Sequence, residues 1–469
     1  MELDILLRGQ SNAFLLAADT GQAIAQEVQR LLGFDGTTNQ VWLQADWSTP
    51  GAQTTIASTS LVGDWLTQTA PGQWQPTALE QGLLRFASQH QGFDSTAVLW
   101  LHNEYDSFNP NLDAATWESA VRADAALLRQ ALGLSAAQSP YMFVSAIPFE
   151  GANDATAQAI RLGMEHLAAD PGFNAAIAGR AQDVDMTFRF AAEGPNSHVY
   201  GGDHISAEDA TLLAHRIALS LAQQWAGHAL PGSPVALAGG AIANLGPQVV
   251  AATQLDANTL ALTLAPDSAS GLQPLGADAA RGLGWSVHGA DGQVVPADQA
   301  SITGTETLTL HFASALPAGG TLFYGYGSGR LALDGDHPGQ GNAVYDSAGL
   351  PAWTAASGVA IAAGGVGATG TGTNGTGISS TGTVASSPAP AMDWYALGQA
   401  QLDWFSQTGG WWGGPQANLL AWEAASHATP AAPAAPAAPA LAAEAATPDW
   451  NAMAATVQAN LAATGQWYL

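Results

Sequence analysis

The chain has 469 residues and a formal net charge of −27, and its 11 cationic residues are all Arg. Hydrophobic residues make up 47% of the chain, which supports a sizeable core and excludes global disorder, while the lack of Cys excludes disulfides, thiolate metal sites and a cysteine nucleophile. Phosphate contacts need cations and a membrane span needs ~18 apolar residues, so the composition predicts no nucleic-acid partner and no membrane insertion.

Residues 1–229 alternate strand-like and helix-like segments. The short apolar runs are Leu3–Leu7, Ala97–Leu101 and Met142–Ile147. The segments with an apolar spacing near 3.6 residues are Ala23–Leu32, Ala78–Ser88, Trp117–Leu132 and Ala155–Leu167. Strands separated by helices of about 10–15 residues are typical of βαβ units, so this region predicts an α/β domain with a parallel sheet.

The last helix of this region has a clear start signal. Ser206, followed by Asp209, resembles a capping box, and the predicted helix ends near Gly227. Its predicted apolar stripe consists of Leu212, Leu213, Ile217 and Leu221.

Residues 230–353 lack helical periodicity. Alternating segments such as Leu260–Leu264 and Leu308–Phe312 recur between Gly, Asp and Pro turns, which predicts an Ig-like β-sandwich. The acidic run Asp334–His337, followed by Asp346, fits either a calcium site or the ordinary turn chemistry of a β domain.

The remainder of the chain predicts a linker and a tail. Residues 354–391 are rich in Gly, Thr and Ala, which is typical of a flexible linker. Residues 392–469 hold two copies of an Asp-Trp…Thr-Gly-x-Trp pattern, beginning at Asp393 and Asp449, with a Pro/Ala spacer between them. Each copy predicts a short helix with an Asp cap and a Gly stop. So small a unit cannot bury its own Trp residues, so we expect it to support self-association or surface docking.

Polar residues follow the first and the middle strand of the predicted sheet. They are Gly9-Gln10-Ser11-Asn12 after the first strand and His102-Asn103-Glu104-Tyr105-Asp106 after the middle one. Open α/β sheets place their sites at the carboxyl ends of strands, so both loops are candidate sites. The alternatives are an ordinary capped turn for the first loop and a solvated loop for the second.

A third polar group stands directly before the last helix. It is Gly201-Gly202-Asp203-His204. Imidazole titrates near neutrality, so His204 is a candidate general base, with His198 as a competitor and a purely structural His as the alternative. Upstream, Asp183 and Asp185 fit either a metal pair or a solvated strand end.

In order and spacing these three groups resemble the SGNH (GDSL-type) hydrolases, with most likeness to the sialate O-acetylesterase and acetylxylan esterase branch. That family has a Gly-Gln-Ser-Asn block, a Trp-x-Gln-Gly-Glu-Ser-Asp block and a final block with an Asp shortly before the His. The first block matches in full, and the other two match in part. The resemblance covers residues 1–229 and implies a three-layer α/β/α domain.

The resemblance implies Ser11 as the nucleophile, His204 as the base and the Ser11 backbone N–H as one oxyanion donor. A neutral hydroxyl must lose its proton as it attacks, and an imidazole can accept it. The supporting residues are Gly9, Gln10, Asn12 and Glu104. No metal or cofactor is implied.

Three parts of the sequence depart from the family pattern. His102 stands where the family has its oxyanion Gln, and Asn103 stands where it has Gly. Either side chain can donate, and Asn103 is preferred because a neutral amide is always a donor. Between the Gly-Gln-Ser-Asn block and the Trp-x-Gln-Gly-Glu-Ser-Asp block the family has a Gly-x-Ser segment, the second block, which appears here as Ala57-Ser58-Thr59-Ser60-Leu61. In this second block Ser58 offers its backbone N–H to the oxyanion. Asp203 is adjacent to His204, so either Asp203 orients the imidazole, or another carboxylate does, or none does.

The sequence therefore predicts a serine esterase that removes O-acyl groups, above all O-acetyl groups, from a carbohydrate. The alternative is a non-catalytic carbohydrate-binding or assembly protein on an SGNH-like scaffold, which the altered second block and the displaced acid favour. The linkers and the acidic, Cys-free composition suit an extracellular or cell-surface protein exported without an N-terminal signal, with the cytoplasm as the alternative.

Overall fold

The structure, a computed structural model, describes residues 1–45, 54–56, 58–145, 153–184, 186–191, 198–267, 271–331 and 342–363, and of residues 186–191 and 198–203 it describes the backbone alone. The predicted tail helices, the acidic run 334–337 and Asp185 lie outside the described residues. None of the helices within these ranges is long and apolar enough to cross a membrane.

The helices are α1 (Ser11–Leu32), α2 (Ala78–Gln89), α3 (Ala114–Leu132), α4 (Asp154–Ala169), α5 (Ala207–Gln224), α6 (Pro234–Leu237) and α7 (Ala277–Ala280). The strands of the first half are β1 (Glu2–Gly9), β2 (Gln40–Gln44), β3 (Leu66–Ala70), β4 (Gln73–Pro76), β5 (Ser95–Leu101), β6 (Tyr141–Ser145), β7 (Ala175–Arg180), β8 (Met186–Ala191) and β9 (His198–Ile205). The strands of the second half are β10 (Gln248–Asp256), β11 (Thr259–Ala265), β12 (Trp285–His288), β13 (Val294–Gly304), β14 (Thr307–Phe312), β15 (Thr321–Tyr324) and β16 (Val359–Ala363).

Parallel strands form the central sheet, in the order β2-β1-β5-β6-β7. This confirms the predicted α/β class. β1 and β5 lie side by side, with Leu3 paired to Ser95 and Gly9 to Leu101. The chain passes from β1 to β2 on one side and then crosses to β5 on the other. The carboxyl ends of β1 and β5 are therefore the topological switch point, where open α/β sheets bind ligands.

Alternate residues of the central strands face two helical layers. Leu3, Ile5 and Leu7 belong to the same buried cluster as the apolar residues of α1 and α5. Leu6 and Trp100 belong to the cluster formed with α2, α3 and α4. Because both faces of the sheet are covered, β1 and β5 are almost continuously apolar.

Two helices differ in detail from their predictions. α1 begins at Ser11 rather than Ala23, because Phe14 and Leu16 bury an apolar face in its first turns. α5 starts at the predicted cap, where the Ser206 hydroxyl accepts a hydrogen bond from the Asp209 N–H at 3.0 Å. Leu212 is 40% exposed, so it does not belong to the predicted apolar stripe.

The second region is a closed β-barrel with the strand order β10-β11-β14-β13-β12-β15-β16. A β module was predicted, but as a sandwich of two sheets. The barrel closes because β16 pairs with β10 on one side and with β15 on the other, which leaves no free sheet edge there. β16 lies within the segment predicted as linker, because its short alternation is hidden in a Gly- and Ala-rich composition. The barrel therefore extends to Ala363.

Polar groups join the barrel to the α/β region. The Tyr345 hydroxyl donates to Asp183 at 2.5 Å, and Asp183 also forms an ion pair with Arg216 at 2.6 Å. Asp183 is 3% exposed and paired with Arg216, so it is not the solvated strand end that the sequence offered as one alternative. The described residues contain no group of three or more His, Asp or Glu that could hold a metal. Asp346 accepts backbone N–H groups from Ala348 and Leu350 at 2.9 Å, which is turn chemistry.

Candidate active site

β1 places Ser11 at the switch point between the carboxyl ends of β1 and β5. β1 ends at Gly9, where a Cβ would collide with the Leu101 carbonyl, so only Gly permits this approach to β5. Gln10 is an extended N-cap residue, with φ −124° and ψ −153°, and Ser11 is the first residue of α1. A helix N-terminus presents unpaired N–H groups and the positive end of its dipole, which favour a negative charge at this point.

Ser11 and His204 form a hydrogen-bonded pair. The distance from Ser11 Oγ to His204 Nε2 is 2.8 Å, and His204 is 8% exposed. In this geometry the imidazole can accept the hydroxyl proton. The structure thus brings together the two side chains that the sequence predicted as nucleophile and base. The side chains of Asp203 and of the competing candidate His198 lie outside the described part of the protein.

Asn12 links the loops around this pair. Its Oδ1 accepts the backbone N–H of Ile205 at 3.0 Å, which holds the residue next to His204. Its Nδ2 donates to Glu104 Oε1 at 3.3 Å. One side chain therefore joins the end of β1, the end of β9 and the loop after β5.

Glu104 is a buried carboxyl in contact with Asn12. Its Oε2 accepts the backbone N–H of Asn103 at 3.2 Å. Burial raises the pKa of Glu104 to about 7, while the hydrogen bonds from Asn103 and Asn12 and the charge of His204 lower it. Glu104 therefore changes charge near neutral pH, next to the candidate base.

The second block runs beside the end of β1. Gly9 N donates to Thr54 O at 3.3 Å, and Ile56 N donates to Gly9 O at 3.2 Å. Two residues later, Ser58 has a φ of +58°, in the left-handed region that favours glycine. Strain of this kind at a non-glycine residue clusters at functional sites. The use of the Ser58 N–H as an oxyanion donor remains a prediction.

Asp106 holds the loop that follows Ser58. Its Oδ2 accepts the Leu61 N–H at 2.9 Å, and its Oδ1 accepts the Val62 N–H at 3.0 Å. Burial raises the pKa of Asp106 to about 7 against these two donors. The sequence places Asp106 in the polar group after the middle strand but carries no signal for this contact.

His102 also contacts this loop. Its Nε2 lies 3.0 Å from the Thr59 carbonyl, and its ring lies between Trp65 and Trp100, with centroids 5.6 and 5.7 Å away. Burial, assisted by the charge of Arg8, lowers the pKa of His102 well below its ordinary value. The neutral ring therefore donates to Thr59.

His102 and Asn103 are the two side chains predicted to donate to the oxyanion, and the Nε2 donor of His102 is already used by the Thr59 carbonyl. Asn103 is 6% exposed, and its Oδ1 has no hydrogen-bond partner within the described ranges. Asn103 remains the better candidate donor, through its amide nitrogen.

Sequence reasoning missed a buried ion cluster beneath these loops. Arg8 donates to Asp124 on α3 and to Glu80 on α2, both at 2.9 Å, and its guanidinium lies 4.0 Å from the centre of the Trp65 ring. The sequence carries a signal for this cluster, because Arg8 is the one cationic residue of the largely apolar strand β1. A buried charge needs a partner of opposite sign.

Comparison with known proteins shows only distant similarity. No family model and no curated protein matches the chain. Among solved structures it is similar to a carbohydrate acetylesterase from Xanthomonas citri, with 16% identity, 75% of this chain and 79% of that chain covered, and a TM-score of 0.45.

Two further solved structures are more distant. A family two carbohydrate esterase from Clostridium thermocellum, solved in complex with cellohexaose, has 10% identity over 48% of this chain and 65% of that chain, with a TM-score of 0.26. The S-layer protein SbsC has 15% identity over 33% of this chain and 23% of that chain, with a TM-score of 0.18. At this level of similarity, function must be inferred from the geometry of the site.

Proposed function

We propose that the protein is a serine esterase that removes O-acyl groups, above all O-acetyl groups, from a carbohydrate. The observation that carries the proposal is the 2.8 Å distance between Ser11 Oγ and His204 Nε2 at the carboxyl edge of the sheet. A Ser–His pair at a helix N-terminus is suited to acyl transfer, because base, nucleophile and N–H donors meet at one point. The extracellular or cell-surface location expected from the sequence fits such a substrate.

In the first step, His204 accepts the Ser11 proton as Ser11 Oγ attacks the acyl carbonyl carbon. The carbonyl oxygen becomes an oxyanion that accepts hydrogen bonds from the N–H groups of Ser11 and Ser58 and from the Asn103 amide. Each such donor contributes on the order of 3 kcal/mol to transition-state stabilisation. The imidazolium then protonates the departing sugar oxygen, leaving an acyl group on Ser11.

In the second step, His204 takes a proton from water as the water oxygen attacks the acyl carbonyl carbon on Ser11. The imidazolium then returns that proton to Ser11 Oγ as the bond to the acyl group breaks and the carboxylic acid leaves. Ionised Glu104 favours the imidazolium that forms in each step, since its carboxylate attracts the charge of His204. Asp203, which directly precedes His204 in the chain, is the second candidate for this electrostatic role.

Hydrolysis of p-nitrophenyl acetate by wild type and by Ser11→Ala tests the proposal. We expect the variant to lose at least ~10³-fold in kcat/KM, since the residual rate comes from binding and the oxyanion donors alone. Ser88→Ala is a matched control, because the Ser88 hydroxyl is bonded to the Arg85 carbonyl on the exposed side of α2. Turnover retained in Ser11→Ala would remove Ser11 as the nucleophile, and no turnover by wild type would favour the non-catalytic alternative.

A further inference from the structure

The barrel carries a compact group of aromatic rings next to α4. The rings of His288 and Tyr326 have centroids 4.1 Å apart, and Phe323 lies 4.9 Å from His288 and 5.0 Å from Tyr326. Phe323 is buried, whereas His288 and Tyr326 are half-buried. The Ser286 hydroxyl lies 3.0 Å from His288 Nε2 and fixes that ring. We refer to His288, Phe323 and Tyr326 as the barrel aromatic cluster.

The barrel aromatic cluster is fixed to the start of α4. Arg161 donates to the Gly325 carbonyl at 2.7 Å, and the Gly327 N–H donates to Gln158 at 2.9 Å. A Cβ at Gly327 would collide with the carboxylate of Asp154, the first residue of α4. The turn that carries Tyr326 is therefore held against the first two turns of this helix.

The start of α4 is in turn bonded to the loop that contains Glu104. The Asn153 N–H donates to the Ser107 carbonyl at 3.0 Å, and the Thr156 hydroxyl donates to the Asn109 carbonyl at 3.0 Å. Ser107 belongs to the short 3-10 helix Tyr105–Phe108, which directly follows Glu104. A continuous series of contacts therefore leads from the Glu104 loop, through the start of α4, to the barrel.

Ser11 and the start of α4, which holds the turn that carries Tyr326, both follow the carboxyl ends of strands of the central sheet. Ser11 follows β1, and α4 follows β6, with β5 between these two strands. Neighbouring strands are ~4.8 Å apart, so the ends of β1 and β6 are separated by about 10 Å. That separation is within the length of a short oligosaccharide. Two further half-buried rings, Tyr105 and Phe108, have centroids 5.6 Å apart and belong to the intervening loop.

We infer that His288 and Tyr326, together with the exposed carboxylate of Asp154, form a glycan-binding subsite that the barrel contributes to the esterase. The inference rests on the proposed function and extends it to the substrate class. Aromatic rings offer apolar faces for the C–H faces of sugars, and the carboxylate and the imidazole can bond sugar hydroxyls. With a net charge of −27, the protein favours a neutral glycan over an acidic one.

Two substrates separate this inference from the proposed function. For Tyr326→Ala we expect kcat/KM on p-nitrophenyl acetate within about twofold of wild type, because the small ester does not reach the barrel. On acetylated xylohexaose we expect KM to rise about fivefold or more, with a smaller change in kcat. His288→Ala should behave in the same way, and Tyr326→Phe should restore most of the loss. Trp42→Ala is the control, because Trp42 is a 47% exposed aromatic on the outer strand β2.

Direct binding gives a result even if no ester is hydrolysed. Calorimetric titration of the full chain with the unacetylated neutral hexasaccharides xylohexaose, cellohexaose and mannohexaose should show binding of at least one by wild type. That binding should weaken about fivefold or more in Tyr326→Ala and stay unchanged in Trp42→Ala. Equal affinities in wild type and Tyr326→Ala, or no binding by wild type, would overturn the subsite whatever the outcome with p-nitrophenyl acetate.

Discussion

At the scale of single residues, the site depends on side chains that hold a neighbouring loop as well as on those that react. Asn12 joins Ile205 to Glu104, and Asp106 binds the backbone of Leu61 and Val62. Asp106 and Leu61 are 45 positions apart in the chain. Since such a contact exists only after folding, no spacing in the sequence could have predicted it.

Asp106→Asn should therefore lower activity through the position of the Ser58 loop. An amide has one acceptor oxygen, and its NH2 group would oppose one of the two backbone N–H donors. We expect kcat for p-nitrophenyl acetate to fall about 10- to 100-fold, with KM little changed and a lower melting temperature.

Asp113→Ala is the control for this experiment. Asp113 caps α3 by accepting the Thr116 N–H at 2.7 Å, so its loss should cost about 1 kcal/mol of stability without affecting kcat. If Asp106→Asn lowers only the melting temperature, as Asp113→Ala does, Asp106 is a structural residue alone.

At the scale of secondary-structure elements, strong periodicity was sufficient to predict the elements that build the site. β1, β5, β6 and α5 were predicted within a few residues, because buried parallel strands are apolar runs and Ser206 is a distinct cap. β2 and β7 were not predicted, because β2 is a short segment with Gln at both ends and β7 consists largely of Ala and Gly, which do not favour strands. Closure of the barrel depends on the partners of β16, which composition does not reveal.

A hydrogen bond joins the barrel to the segment that follows β7. Tyr345→Phe removes the hydroxyl that donates to Asp183, while the ion pair of Asp183 with Arg216 remains. A hydrogen bond to a buried charged group contributes about 1.5–3 kcal/mol, so the melting temperature should fall by several degrees in a thermal scan.

Asp298→Asn is the control for Tyr345→Phe, because it changes a contact between two exposed side chains. Asp298 binds His311 at 2.7 Å on the barrel surface, where such pairs contribute roughly 0–1 kcal/mol. Equal effects of Tyr345→Phe and Asp298→Asn would show that the Tyr345 contact does not join the two regions.

At the scale of the whole molecule, buried carboxyl groups couple stability to pH in an unusual direction. Burial raises the pKa of Asp4, Glu104 and Asp106 to about 7 each, and it also raises the pKa of Glu80. Between the ordinary carboxyl range and pH 7, the folded state therefore binds more protons than the unfolded state. The extra stability is complete at low pH and is lost as the pH rises through the folded pKa values.

The melting temperature should consequently fall by several degrees between pH 6.5 and pH 8.5 at constant ionic strength, measured by circular dichroism. One pKa unit corresponds to 1.36 kcal/mol, and a group with a folded pKa of about 7 is already partly ionised at pH 6.5. Asp4, Glu104 and Asp106 therefore each contribute roughly 1 kcal/mol over this range, and the larger part of their effect lies below it. The lowered pKa of His102 has the opposite effect, because it makes stability rise with pH. That rise is complete above about pH 6.5, so it does not alter the trend between pH 6.5 and pH 8.5. Asp4→Asn should flatten the slope, because its buried amide cannot ionise. A melting temperature that stays constant or rises with pH would contradict this assignment.

The central claim, that Ser11 is a nucleophile activated by His204, is tested most directly by covalent labelling. A fluorophosphonate probe, added to the native full chain and located by peptide mass spectrometry, should form one adduct, on Ser11. The adduct should be absent from Ser11→Ala and strongly reduced in His204→Ala, because the hydroxyl attacks phosphorus only when the imidazole at 2.8 Å accepts its proton. A native protein that forms no adduct, or forms it on another Ser while Ser11 stays unmodified, would contradict the account.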